Sequence, residues 1–222
     1  MRAAIRHIVG MTYKPLLEKY LAKTRIYHHE GLTLSIPPGI FHPQFFFSTK
    51  LLLQQVKMQE LKGRRFLELG CGSGLISLVA AKKGASVTSS DINPVAIEQL
   101  KANSHANGIE LRMIESDLFR SIPPQQFDII AINPPFYKKY PVSSYDYAWC
   151  CGEKGEYFQQ LFAQLGTYMT SSSIVLMILF EGCDMEMIRT FARENGAELN
   201  CIKTTKNLLE SNSIYQIIYH HA

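Results

Sequence analysis

Arg65-Phe66-Leu67-Glu68-Leu69-Gly70-Cys71-Gly72-Ser73-Gly74-Leu75 decides the fold. Its first half, Arg65 to Leu69, is an apolar run of strand length. Its second half is a turn of alternating glycines, and Leu75 to Lys83 then reads as a helix closed by Gly84. Glycine has no Cβ, so such a turn brings main chain close to a ligand, and the N–H groups of a helix start favour a carboxylate or phosphate. A dinucleotide fingerprint would read G-x-G-x-x-G. Here the glycines fall at 70, 72 and 74, and Leu75 stands where the third should be. The NAD reading fails at that residue.

Outward from this unit the alternation continues. Ser86 to Ser90 reads as a strand. Val95 to Asn107 reads as a helix, with Asn93 as its cap, Pro94 in its first turn and Gly108 after its end. Leu111 to Ile114 and Phe127 to Ile132 are strands, Gly155 to Tyr168 a helix, Ser173 to Phe180 a strand and Met185 to Asn195 a helix. Two strands near Leu199 to Lys203 and Ser213 to Tyr219 follow with only a short link, so they are expected as an antiparallel hairpin at a sheet edge. The chain is therefore α/β: a seven-stranded, mostly parallel sheet with a C-terminal antiparallel hairpin and helices on both faces. Before this unit, Lys14 to Tyr27 shows helical spacing, Leu32 to Ile36 alternates as a strand, and Pro37-Pro38-Gly39 breaks the chain. Thr49 to Leu61 is again helical. The division is a basic extension over 1–37 and one domain over 38–222.

The 222 residues suit a domain with a substantial core, and 46% hydrophobic against 19% charged content is globular composition. No apolar run approaches a membrane span, and the N-terminus shows no long apolar secretory core. Cys71, Cys150, Cys151, Cys183 and Cys201 form no C-x-x-C pair, as expected of reduced thiols in a cytoplasm. No histidine or cysteine partner stands at ligand spacing, so no metal is expected. The net charge of +4 resides wholly in residues 1–30, where Arg2, Arg6, Lys14, Lys19, Lys23 and Arg25 face only Glu18 and Glu30. A solvated amphipathic helix explains that excess, and an arm steering an anionic partner such as RNA is the sharper reading.

Three further strand ends carry polar residues. Asp91 ends the second strand, seventeen residues after Gly74. An acid there can accept hydrogen bonds from both hydroxyls of a ribose, or can serve the turn before Asn93-Pro94. Asp117, in Glu115-Ser116-Asp117-Leu118-Phe119, ends the third. Asn133-Pro134-Pro135-Phe136 ends the fourth. Two prolines have no N–H to give a sheet ladder, so the turn is stiff and its carbonyls are free. Open α/β sheets bind ligands where such carboxyl ends converge.

Together, E-x-G-x-G-x-G, Asp91, Asp117 and Asn133-Pro134-Pro135-Phe136 resemble the N-P-P-[FYW] branch of the class I, Rossmann-like methyltransferases that use S-adenosylmethionine. The resemblance runs from about Pro38 to the C-terminus. It implies that Glu68 and the loop of Gly70, Gly72 and Gly74 meet the methionine and ribose portion of the cofactor, Asp91 the ribose, and Asp117 with Leu118 the adenine. Thr49, in a segment similar to one that folds over the methionine end, is a further cofactor contact. Asn133 stands beside the transferable methyl.

The branch methylates nitrogen in planar groups: protein glutamine amides or exocyclic amines of bases. Such a nitrogen has a delocalised lone pair and is a poor nucleophile. Asn133 and the Pro134 carbonyl can each accept one N–H, turning the remaining lobe toward a sulfonium methyl and stabilising positive charge as it develops. Phe136 can lie against the planar group. Phe41, Tyr137, Lys138 and Trp149 are further candidates for substrate contact, the loop of residues 137–154 offering π faces and cations suited to bases and phosphates. The expected acceptor is the exocyclic amine of an RNA base, because the N-terminal region is short and basic. N5-methylation of a protein glutamine is the alternative, and a non-catalytic module that binds the cofactor is a third reading. Oligomeric state is not legible.

Overall fold

The computed structural model describes residues 16–17, 19–143, 146–207 and 210–219. Arg2, Arg6, Lys14 and Glu18 of the charged segment, and Tyr145 of the long loop, lie outside the described residues.

Strands β1 (Arg25–His29) and β2 (Leu32–Ile36) form a two-stranded antiparallel sheet. Glu30-Gly31 joins them with φ of 47° and 75°. Positive φ at both central residues matches the twist of a tight hairpin. The expected helix over Lys14 to Tyr27 is therefore too long. Residues 16, 17 and 19–21 are helical, but Arg25, Ile26 and Tyr27 pair with Ile36, Ser35 and Leu34. A hairpin whose inner strand has a core to face outcompetes weak helical spacing. Leu32, Leu34 and Ile36 are buried in the main core. Asn103 closes the edge of β2 by bonding both N–H and carbonyl of Ser35 (2.8 and 3.1 Å). Asn107 does the same for Thr33 (2.9 and 2.8 Å). An amide carries a donor and an acceptor, so each stands in for a strand neighbour.

The remaining elements are α1 (Phe47–Lys57), β3 (Arg65–Leu69), α2 (Leu75–Lys82), β4 (Ser86–Asp91), α3 (Pro94–Ala106), β5 (Arg112–Glu115), β6 (Phe127–Ile132), α4 (Glu156–Leu165), β7 (Met169–Phe180), α5 (Met185–Glu194), β8 (Ala197–Lys206) and β9 (Ser211–Tyr219). The seven-stranded sheet has the order β5-β4-β3-β6-β7-β9-β8. Strands β3 to β7 are parallel. Strand β9 inserts antiparallel between β7 and β8, as the missing helix between the last two strands requires. Helix α1 stops at Lys57, so Leu61, expected as its last apolar residue, is buried from the turn beyond it.

Period-2 alternation sends neighbouring residues to opposite faces. In β6, Ile129 and Ala131 join one buried cluster with Leu52, Leu78 and Leu100 of the helices α1, α2 and α3. Ile130 and Ile132 join the other, with Phe158, Phe162 and Ile188 of α4 and α5. Strand β3 has β4 on one side and β6 on the other, so the chain runs outward to β5 and then returns. That reversal opens a crevice above the carboxyl ends of β3 and β6.

Candidate active site

The register of β3 and β6 pairs Leu69 with Ile132. The next residues, Gly70 and Asn133, are therefore side by side at the reversal point. A cavity of about 390 Å³ lies there, within the size range of small-molecule sites. Its wall includes Glu68, Gly70, Gly72, Asp91, Asp117, Leu118 and Asn133 to Phe136, with Phe41 from the segment leading into α1 and Thr49 from its first turn. The four strand ends do converge.

The glycines of the turn differ in what they do. Gly70, Gly72 and Gly74 all have left-handed φ (77°, 49° and 74°). A Cβ on Gly70 would meet nothing within 4 Å, so that position opens to the cavity. A Cβ on Gly74 would fall 2.3 Å from Leu100 Cδ1, and Gly74 is not on the cavity wall. Gly74 thus permits close packing of α2 on α3, where a ligand contact was expected.

Asp91 is built into the turn. Its Oδ2 accepts the Gly72 N–H at 2.8 Å and its Oδ1 accepts the Asn93 N–H at 2.9 Å. Burial raises its carboxyl above the ordinary range, against the opposing effect of those hydrogen bonds. Asn93 caps α3 through the Val95 N–H, and Pro94 is in its first turn. Glu68 faces the start of α2. Its Oε2 accepts the Ser77 N–H at 2.8 Å and also the Ser77 hydroxyl, which in turn accepts from Ser89 Oγ at 2.5 Å. Burial pushes the Glu68 carboxyl up to about 8, Ser77 opposing and the Asp91 charge adding. Leu118 holds φ of 48° while buried, a conformation L-residues avoid and one that concentrates at functional sites.

The Asn133-Pro134-Pro135-Phe136 turn is braced from the far side of the loop. Trp149 O accepts the N–H groups of Phe136 (2.9 Å) and Tyr137 (2.7 Å), and Tyr137 O accepts the Cys151 N–H (2.9 Å). The Trp149 ring meets Phe41, Phe46 and Phe136 at centroid distances of 5.1, 5.2 and 6.1 Å. Trp149 and Tyr137 brace the turn without lining the cavity themselves. Lys138 is also off the wall, its Nζ 3.0 Å from Asp184 Oδ2. Cys150 and Cys151 are free thiols, and burial raises both. Among the described residues no His, Cys, Asp and Glu group could hold a metal, and no helix is long and apolar enough to cross a membrane.

Sequence reasoning missed several wall residues. Tyr140 and Tyr147 line the cavity mouth at 71% and 43% exposure. Tyr157 and Gln160 reach it from α4, and burial beside Asp91 and Asp117 raises the Tyr157 phenol. Nothing in a helix reading of Glu156 to Leu165 marks which turn faces the sheet edge. Ser48 lies within hydrogen-bond reach of Asn133, its Oγ 3.4 Å from Nδ2.

Residues 31–149, more than half of the chain and most of the cavity wall, match the methyltransferase small domain. The chain belongs to this family. By that family it is a methyltransferase. A protein of Methanocaldococcus jannaschii, provisionally named a protein N5-glutamine methyltransferase, is 31% identical over 155 residues, 67% of this chain and 76% of that protein. Ribosomal RNA small subunit methyltransferase C of Hahella chejuensis is 38% identical over 112 residues, 49% of this chain but only 32% of that one. The chain thus spans about a third of the ribosomal RNA relative's length. Among solved structures, the Thermus thermophilus 16S rRNA N2 G1207 methyltransferase, in complex with AdoMet and guanosine, superposes with a TM-score of 0.62 at 17% identity, covering 89% of this chain and 50% of that one. A Pyrococcus furiosus methyltransferase superposes at 0.62 with 18% identity over 96% of this chain and 100% of that chain. These two likenesses are likenesses of fold.

The residues present fit the cofactor. The half-buried Asp91 carboxylate, with lone pairs to spare, suits a ribose diol, left-handed glycines admit close main-chain approach, and the apolar Ile92, Ala96 and Leu118 on the wall suit a flat base.

Proposed function

We propose that the protein methylates a planar nitrogen, the exocyclic amine of an RNA base. The observation that carries this reading is Asn133 beside Gly70 at the reversal point, with no described residue donating to its Oδ1. Asp91 holds the ribose, Asp117 and Leu118 the adenine, and Gly70, Gly72 and Thr49 the methionine end. Glu68 acts through Ser77, tying the glycine turn to α2. When bound, the cofactor supplies an electrophilic methyl group on a sulfonium.

The chain's own part is orientation and charge. Asn133 Oδ1 and the Pro134 carbonyl accept the two N–H bonds of the acceptor amine. That arrangement freezes the nitrogen with its third lobe in line and converts a bimolecular encounter into a positioned one. As the nitrogen gains positive charge, the same two oxygens lie next to it in a site walled by Phe41 and Phe136, where water does not weaken them. Phe136 lies on the planar group, and its N–H bond to Trp149 holds it there. No general base needs to act before transfer, since the proton leaves a nitrogen already alkylated.

The exposed Tyr140 and Tyr147 rings at the mouth support a nucleic-acid acceptor, because every base has a π face to stack. The ribosomal RNA relatives support it as well. Methylation of a protein glutamine is the second reading, favoured by the archaeal relative of which the chain covers 76%. The non-catalytic reading gives way to the family. Transfer of labelled methyl from S-adenosylmethionine into a cell extract separates the two acceptors. RNase-sensitive label is the expected result, and label lost only to protease establishes the glutamine reading.

A further inference from the structure

We propose that Ser48 is a positioning residue that sets which end of the Asn133 amide faces the acceptor nitrogen. The proposal rests on the role given to Asn133 above. An amide has an acceptor end and a donor end of nearly equal size, and a half-turn about its last torsion exchanges them. With Oδ1 inward the group accepts an N–H; with Nδ2 inward it opposes one. The glycine turn, the prolines and Phe136 do not distinguish the two. Ser48 does: its Oγ accepts from Asn133 Nδ2 at 3.4 Å, across 85 positions of sequence, and directs Oδ1 the other way.

Ser48 is held well enough to do this. It is the second residue of α1, a helix anchored in the core by Leu51, Leu52, Leu53 and Val56. The next residue, Thr49, is buried and lines the cavity. Two positions earlier, Phe46 stacks on Phe41 at 3.8 Å and meets Trp149, whose carbonyl holds Phe136. The start of α1 and the Asn133 turn are thus braced to each other independently of the Ser48 bond. Removing the hydroxyl should free the amide to turn without unseating either segment.

A serine hydroxyl can also donate, so the test must separate acceptance from mere contact. Four variants are compared for the rate of labelled methyl transfer into whichever extract fraction, RNA or protein, the wild type labels, at saturating S-adenosylmethionine, and for S-adenosylmethionine affinity. Ser48→Ala should lose about tenfold in rate, with the affinity within about twofold of wild type. Ser48→Asp, which only accepts, should recover most of that loss. Ser48→Ala added to Asn133→Ala should cost nothing beyond Asn133→Ala alone, because residues acting as one unit are not additive. A wild-type rate for Ser48→Ala while Asn133→Ala is inactive overturns the role of Ser48 and leaves that of Asn133 standing. The full Ser48→Ala loss on top of Asn133→Ala overturns it equally. A wild-type rate for Asn133→Ala overturns both readings.

Discussion

Gly72 donates its main-chain N–H to Oδ2 of Asp91 at 2.8 Å, so a carboxylate on the cavity wall and the glycine turn position each other. The second oxygen, Oδ1, is taken by the Asn93 N–H at 2.9 Å. Each oxygen therefore faces a donor that cannot move away. Asp91→Asn is not conservative here, because its NH2 would confront one of those N–H groups. The expected result is a cofactor affinity at least about tenfold weaker, from the loss of a charged hydrogen bond. Titration calorimetry with S-adenosylmethionine checks it, and an unchanged affinity would remove Asp91 from the ribose site.

Gly74 and Gly70 look alike in sequence and should behave differently. Both have φ near 75°, so alanine at either costs about 1–2 kcal/mol of backbone strain. At Gly74 the new methyl also runs into Leu100, a fully buried core residue, and overpacking adds about 1–3 kcal/mol. Gly74→Ala should unfold at clearly lower denaturant than Gly70→Ala. Gly70→Ala, whose Cβ meets only open space, should retain more stability and lose cofactor affinity instead.

Glu68 gives stability a pH dependence. Its carboxyl is pushed from an ordinary value of 4.5 up to about 8 in the folded protein, mainly by burial. Between those values the folded state keeps the proton and the unfolded state has released it. The folded state binds more protons, so its stability falls as pH rises through that window, by up to about 1.4 kcal/mol per unit for one group. Asp91 is shifted the same way, so its contribution has the same sign, starting from its own ordinary value of 3.8. Glu68→Gln, neutral at every pH, should flatten it. Urea unfolding of wild type and variant at pH 5.5 and 7.5 measures the difference, and parallel slopes would contradict the burial account.

Lys138 should matter little. Its ammonium is engaged by Asp184 on the outside of the loop, where ion pairs contribute little. Lys138→Ala should change methyl transfer by less than about twofold, whereas Phe136→Ala, which removes a wall of the cavity, should lower it by more than about tenfold.

Much of this was legible in the chain because it is local. Glycine spacing, strand-length apolar runs and the Asn93-Pro94 helix start each depend on neighbours in sequence, and the sheet with its antiparallel end follows from their order. Asp91, Asp117 and Asn133 could be placed on the site because any residue just after a parallel strand arrives at the same edge. What stayed hidden depends on side-chain direction or on long-range pairing. Arg25 to Tyr27 pair with β2 and so leave the helix their spacing implied. Gly74 turned out to serve packing against Leu100, a residue 26 positions away, and Lys138 found Asp184. Tyr157 and Gln160 sit on a helix whose facing turn is set only by tertiary packing. Ser48 meets Asn133 across the sheet edge, a relationship no spacing encodes.

Asn133 is proposed to act on the acceptor nitrogen while the cofactor is held elsewhere. The direct measurement is Asn133→Ala, assayed side by side for S-adenosylmethionine affinity and for labelled methyl transfer into the acceptor fraction of an extract. The expected result is an affinity within about threefold of wild type and a transfer rate reduced by roughly 100-fold or more, the cost of removing one transition-state acceptor. Transfer at the wild-type rate, with the cofactor still bound, would contradict the account.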